Sequence, residues 1–214
     1  MIKKNDFIEI DYTGFVDGKV FDTTKKDVAQ NAGIDTSKAK FESLIICVGE
    51  GHILKGLDTN LEGKDLGSHK FELNEEEAFG KKQSKLLKLM PMKLFKQQKI
   101  QPFVGLELNI DNQLGTVRNV SGGRVIVDFN HPLAGKKVTY EVDIKRKVED
   151  KKEKLQSIFK ALSIPVKNLK EASVDLEFEV PPQIIDMIKQ NVKKVVGVDI
   201  KINIPKKEDK KDKV

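Results

Sequence analysis

Few residues in this chain carry side chains suited to covalent or metal chemistry. Cys47 is the sole cysteine, so no internal disulfide forms. Ile45, Ile46 and Val48 flank it, and apolar company disfavours the thiolate, which is the reactive form. Cys47 therefore reads as a small buried hydrophobe. His52, His69 and His131 stand in three separate segments, without the paired spacing that gathers metal ligands. His131, within NHPLAG, is expected to brace a loop through its ring nitrogens. Asp22 precedes Thr23 and Thr24, where an aspartate commonly caps a turn. Tyr12, Phe21 and Tyr140 lie in strand-like stretches, which use aromatics for packing. No cofactor and no metal are expected from these residues.

The net charge of +6 invites a nucleic-acid reading. Apart from Arg118, Arg124 and Arg146, however, all 39 basic residues are lysine, whereas phosphate and base recognition favour the planar guanidinium. No helix-turn-helix, zinc-finger or RNA-binding aromatic pattern accompanies the charge, so nucleic acid is not an expected partner. The charge is also uneven. Segments 84–127 and 151–214 are each net basic, and the rest of the chain is net acidic.

The elements that must position these residues can be read from periodicity. From Asp6 to Val20 the chain alternates Ile8, Ile10 and Tyr12 with Glu9, Asp11 and Thr13, the period of a half-buried strand, and Asp17-Gly18 reads as a hairpin turn into Lys19-Val20-Phe21. Residues 23–40 are polar and mixed, a long loop or a loop with a short helix. A strand is expected over 41–48, a short amphipathic helix over 52–61 from Ile53, Leu54, Leu57 and Leu61, and a strand over 69–73. From Lys85 to Leu94 the chain turns apolar with interspersed lysine, and Pro91 interrupts any helix. Strand patterns recur at 106–110, 115–120, 124–129 and 139–148. The run EDKKEK at 149–154 reads as a charged hinge. Beyond it come a helix marked by Leu155, Ile158, Phe159 and Leu162, a strand at 174–180, a helix from Pro182 to Gly197 and a strand at 198–204. This small module is expected to dock on the first domain or to pair with a second copy as a homodimer. The tail 206–214 is charged and expected to be disordered.

A chain of 214 residues has room for one substantial domain and one or two smaller ones. Its apolar runs fall well short of the ~20 residues that cross a bilayer, and no signal-peptide pattern follows Lys3 and Lys4. The expectation is a cytoplasmic protein with no membrane partner.

Four collinear segments, YTGFVDGKVFDTT at 12–24, CVGEGHILKGLD at 47–58, EEEAFGK at 75–81 and NHPLAGKKVTYEV at 130–142, together resemble the FKBP-type peptidyl-prolyl cis/trans isomerases. The long insertion between the third and fourth is similar to that of the SlyD-like subgroup, where it forms a chaperone domain in the flap, and the added C-terminal segment resembles the long archaeal members. The resemblance implies an α+β fold, an antiparallel half-barrel sheet wrapped on a short helix with a β-rich insert, to which the periodicity of the C-terminal segment adds a small helix-strand-helix-strand module. It divides the chain into an isomerase core at 1–83 and 128–150, an insert at 84–127 and a module at 151–205. By motif position it implies a pocket of Tyr12, Phe21, Asp22, Leu44, Ile53, Leu54, Leu57, Phe79 and Tyr140, with Asp22 fixing a neighbouring hydroxyl, that of Tyr12. Leu57 and Phe79 depart from the family's usual Trp and Tyr, which implies weak macrolide binding. In the insert, Leu86, Leu87, Met90, Met92, Leu94, Phe95 and Phe103 are the expected capture surface, with flexible Met suited to varied partners. The implied partners are unfolded or nascent proline-containing polypeptides. The alternative is a holdase or ribosome-associated peptide clamp with little needed catalysis.

Overall fold

The computed structural model describes residues 1–37 and 40–205; the tail at 206–214 lies outside them. The described chain forms two compact units. The first comprises Met1–Glu72 with the residues from Val138 onward, and the second is Leu73–Lys137, wider on both sides than the 84–127 segment.

The first unit begins with β1 (Phe7–Val16), which turns into β2 (Lys19–Thr23). The turn residues Asp17 and Gly18 both have positive φ, 50° and 74°, the conformation that a two-residue hairpin requires and that glycine adopts without strain. α1 (Lys26–Asn31) follows, then β3 (Leu44–Cys47), α2 (Lys55–Leu61) and β4 (Gly67–Leu73). Leu57 and Leu61, four apart on one face of α2, are buried. Asp58 on the same helix is buried because its carboxylate accepts the N–H groups of Gly49 and Gly51 at 2.8 and 2.9 Å, so the charge ties down the loop that precedes α2.

In the second unit a single 3-10 turn at Ser84–Leu86 leads into β5 (Leu87–Pro91), α3 (Met92–Gln97), β6 (Glu107–Ile110), β7 (Gln113–Ser121) and β8 (Arg124–Asp128). These strands form an antiparallel sheet in the order β5-β8-β7-β6. Its core is Phe95 of α3 against Val117, Val125 and Val127.

The chain returns to the first unit through β9 (Val138–Lys147), which pairs antiparallel with β1 along most of its length and completes the five-stranded sheet. α4 (Lys151–Ala161), the hairpin β10 (Val166–Lys170) and β11 (Ser173–Leu176), α5 (Pro182–Val196) and β12 (Lys201–Asn203) follow. This adds one strand, β10, to the helix-strand-helix-strand pattern. β11 and β12 run parallel, joined by the α5 crossover. Pro182 starts α5, and Gly197, at φ 74°, ends it.

The charged run at 149–154 is not a hinge. Asp150 caps α4 by accepting the Glu153 N–H at 2.8 Å, an aspartate and a glutamate three apart serving as a helix start. Arg146 of β9 grips both Glu153 carboxylate oxygens at 3.0 and 3.1 Å and Glu9 of β1 at 2.6 Å. The helix therefore begins where the sheet ends. Its Leu155, Ile158 and Phe159 share one buried cluster with Phe7, Cys47 and Val148 and with Ile185, Ile188 and Val192 of α5. Phe7 and Ile8 are adjacent in a strand and point to opposite faces, yet both are buried, because the C-terminal module covers the Phe7 side.

Candidate active site

The site grows out of the β1–β2 hairpin. Pairing of Gly14 with Asp22 and of Thr13 with Thr23 brings the Tyr12 hydroxyl within 3.0 Å of Asp22 Oδ2, to which it donates. Threonines fix this register. Thr23 Oγ1 donates to the Tyr12 carbonyl at 3.0 Å, and the Tyr12 N–H donates to Thr24 Oγ1 at 3.0 Å. Asp22 thus takes a hydroxyl partner across the hairpin.

On the other side of β1, Gly14 also faces Tyr140 of β9. The Tyr140 ring meets Tyr12 at 5.8 Å between centroids and Phe21 at 5.7 Å, both edge to face, an arrangement worth about 0.5–1.5 kcal/mol per pair beyond burial. Three rings crowd here because Gly14 has no side chain. A Cβ at that position would stand 2.8 Å from Phe21 Cζ and 3.0 Å from Tyr140 Cε1. The pattern YTGFVDG held this signal, since a glycine inside an alternating strand often marks close approach.

Tyr12, Phe21, Asp22 and Leu44 line one cleft of about 270 Å³ together with Thr23, Thr24, Ile34, Phe41, Lys40, Glu42 and Lys160. Its aromatic wall is dry enough to act on ionisation. Burial, then the Asp22 charge and the hydrogen bond to it, push the Tyr12 phenol well above its ordinary value, and burial with the same charge raises Tyr140. Both hydroxyls stay protonated at neutral pH.

The remaining motif residues lie elsewhere. Tyr140 is buried and braces the two rings without lining the cleft. Leu57 is core, and Ile53 and Leu54 are half-buried ahead of α2, outside the cleft lining. Phe79 belongs to the second unit, where it stacks on His131 at 4.5 Å with the planes 4° apart. His131 Nδ1 accepts the Leu133 N–H at 3.2 Å. His52 Nδ1 accepts the Cys47 N–H at 3.1 Å. Burial pushes the Cys47 thiol up to about 12. Among the described residues no three His, Cys, Asp or Glu side chains gather as a metal site.

The capture residues divide by exposure. Phe95 is the centre of the second unit's core, which corrects its placement on a binding surface, while Met90 and Met92 are half-buried and pack against that core. Leu87, Leu94 and Phe103 are exposed, and so are Leu89, Val104 and Leu114. Leu86 is half-buried and lines a groove with Met90, Ile110 and Phe129. Leu87 and Leu89 alternate on the edge strand β5 with Met90, so the face opposite the core carries them.

A family model for FKBP-type peptidyl-prolyl cis-trans isomerase matches residues 1–95, and one for the FKBP26 IF domain matches 88–133. The short-type peptidyl-prolyl cis-trans isomerase of Methanocaldococcus jannaschii is 28% identical over 68% of this chain and 93% of its own length. A probable FKBP-type 16 kDa isomerase of Pseudomonas fluorescens is 31% identical over 45% of this chain and 67% of its own. SlyD of Aeromonas hydrophila is 34% identical over 52% of this chain; the match spans about half of that relative, 54%. The chain belongs to the FKBP-type peptidyl-prolyl cis-trans isomerases, and its similarity extends to the SlyD-like proteins. No helix among the described residues is long and apolar enough to cross a membrane.

Proposed function

We propose that the Tyr12–Phe21–Asp22 cleft is where this isomerase twists the bond before proline, and that the second unit captures unfolded segments for it. Rotation about that bond breaks amide resonance against a barrier of ~18–20 kcal/mol and needs no nucleophile. A planar amide is more polar than a twisted one, so a dry wall that withholds water and donors from the carbonyl favours the twisted form. The observation that carries this reading is the Tyr12–Asp22 bond. It commits the Tyr12 proton to Asp22, so that hydroxyl has none to give the planar carbonyl, while the Asp22 charge sets the field across the cleft.

For capture, the support is the set of apolar side chains left exposed on a unit whose core is already filled, chief among them Leu89, Phe103, Val104 and Leu114, each more than half exposed. Such side chains mark interaction surfaces when they cluster. Holding a client there raises its concentration at the cleft without adding contacts at the reacting bond. The test is the full chain carrying L87S, L89S and F103S. These exposed positions can change without disturbing the core. Turnover of a prolyl tetrapeptide should persist, and catalysed refolding of a proline-limited protein should fall at least fivefold. Equal loss on both substrates would refute capture.

A further inference from the structure

One wall of the cleft comes from the C-terminal module. Lys160 of α4 lines it beside Lys40 and Glu42, and its ammonium bonds the Glu42 carboxylate across 118 residues of chain. That bond, then the Lys160 charge and a smaller contribution from Lys40, hold the Glu42 carboxyl below its usual range. Both partners remain half exposed, 51% and 53%. Lys40 has no ion pair among the described residues. Of the other charges near this rim, Lys145 pairs with Asp11 at 2.7 Å and donates to Ser43 at 2.8 Å. Asp22, on the β2 side of the cleft, accepts the neutral Tyr12 hydroxyl and keeps its charge. The loop and α4 side of the mouth therefore presents two cations to one anion, while the aromatic and aliphatic floor suits a prolyl ring.

We propose that Lys160, delivered by the C-terminal helix, acts with Lys40 to make this isomerase prefer proline-containing segments with an acidic residue beside the proline. A prolyl ring seated on Tyr12, Phe21, Ile34 and Leu44 leaves the flanking side chains at the mouth, within reach of these ammonium groups. The module at 151–205 then serves the reaction as a specificity wall. This inference rests on the isomerase cleft being the one described above.

The test uses the full-length protein and tetrapeptides with Glu, Ala or Lys placed before or after the proline. At low ionic strength kcat/KM should be about fivefold higher for Glu than for Lys on at least one flank, as expected for one exposed ion pair at ~4 Å. In 1 M salt the preference should fall below about twofold, since the screening length is then only ~3 Å. K160A should bring the ratio below about twofold, and E42Q should raise it above wild type. Because each ratio is taken within one variant, a loss of folded protein cancels. A wild-type ratio of one or less overturns the proposal. So do K160A and E42Q moving the ratio in the same direction, which would make the pair only a latch between α4 and the loop. Turnover of all peptides without a charge preference overturns this proposal alone, and turnover of none overturns the cleft assignment with it.

Discussion

Gly14→Ala tests whether the crowding of rings on β1 is the source of the site's geometry. The added Cβ would meet Phe21 Cζ at 2.8 Å and Tyr140 Cε1 at 3.0 Å, while non-bonded carbons rest at about 3.5–4.0 Å. The rings must therefore retreat by roughly 0.5–1 Å. Aromatic rings cannot yield like the end of a lysine, and overpacking of this kind costs about 1–3 kcal/mol. Alanine returns about 0.5–1 kcal/mol because glycine loses more conformational freedom in a strand. The variant should therefore unfold in urea with a stability loss of at most about 2.5 kcal/mol and remain folded in the assay. Activity should suffer more, because a misplacement of ~1 Å can cost ~100-fold. A protease-coupled prolyl peptide assay should show kcat/KM down ten- to a hundredfold. A fall of less than twofold would mean that ring placement is irrelevant to the chemistry and that Gly14 serves packing alone.

Two further predictions concern the same site. Asp22→Asn keeps the acceptor but removes its charge, and a hydrogen bond to a charged group is worth about 1 kcal/mol more than a neutral one, so kcat/KM should fall about five- to tenfold with KM little changed, and Asp22→Leu should fall further; full activity in both would favour a peptide clamp over a catalyst. The chain has 2 tyrosines, Tyr12 and Tyr140, and both are raised, so absorbance at 295 nm should show no phenolate at pH ~10, the ordinary midpoint. Because the folded protein holds these protons more tightly than the unfolded chain, their contribution to stability is complete below pH ~10 and is lost as pH climbs toward the raised folded values. A transition centred at pH 10 in the native protein would contradict the buried Tyr12–Asp22 arrangement.

Local pattern predicted most of the strands. The alternation about Ile8, Ile10 and Tyr12 and the Asp17-Gly18 turn point to β1 and β2 without tertiary help, as Pro182 and Gly197 bound α5. What local pattern could not carry was partnership. EDKKEK reads as a hinge because charge alone does not tell a solvated linker from the first turn of a helix, and only the Glu153 N–H on Asp150 decides it. Phe95 and the exposed Phe103 are alike as residue types, and they differ because α3 turns Phe95 onto Val117, Val125 and Val127. Lys160 gave no signal, since nothing in a lysine 118 residues from Glu42 points to it.

The position of Lys160 nonetheless follows from the helix that carries it. Leu155, Ile158 and Phe159, at spacings of three and four, must face the sheet, because they supply the second cover that Phe7, Cys47 and Val148 need. Successive helical side chains are turned by about 100°, so once Phe159 faces inward the next residue must come out along the edge of the contact, where the loop bearing Lys40 and Glu42 forms the mouth of the cleft. A neutral residue there would leave the core intact and Glu42 without its nearest cation. The side chains that hold the module to the sheet thus also aim its charge at the cleft.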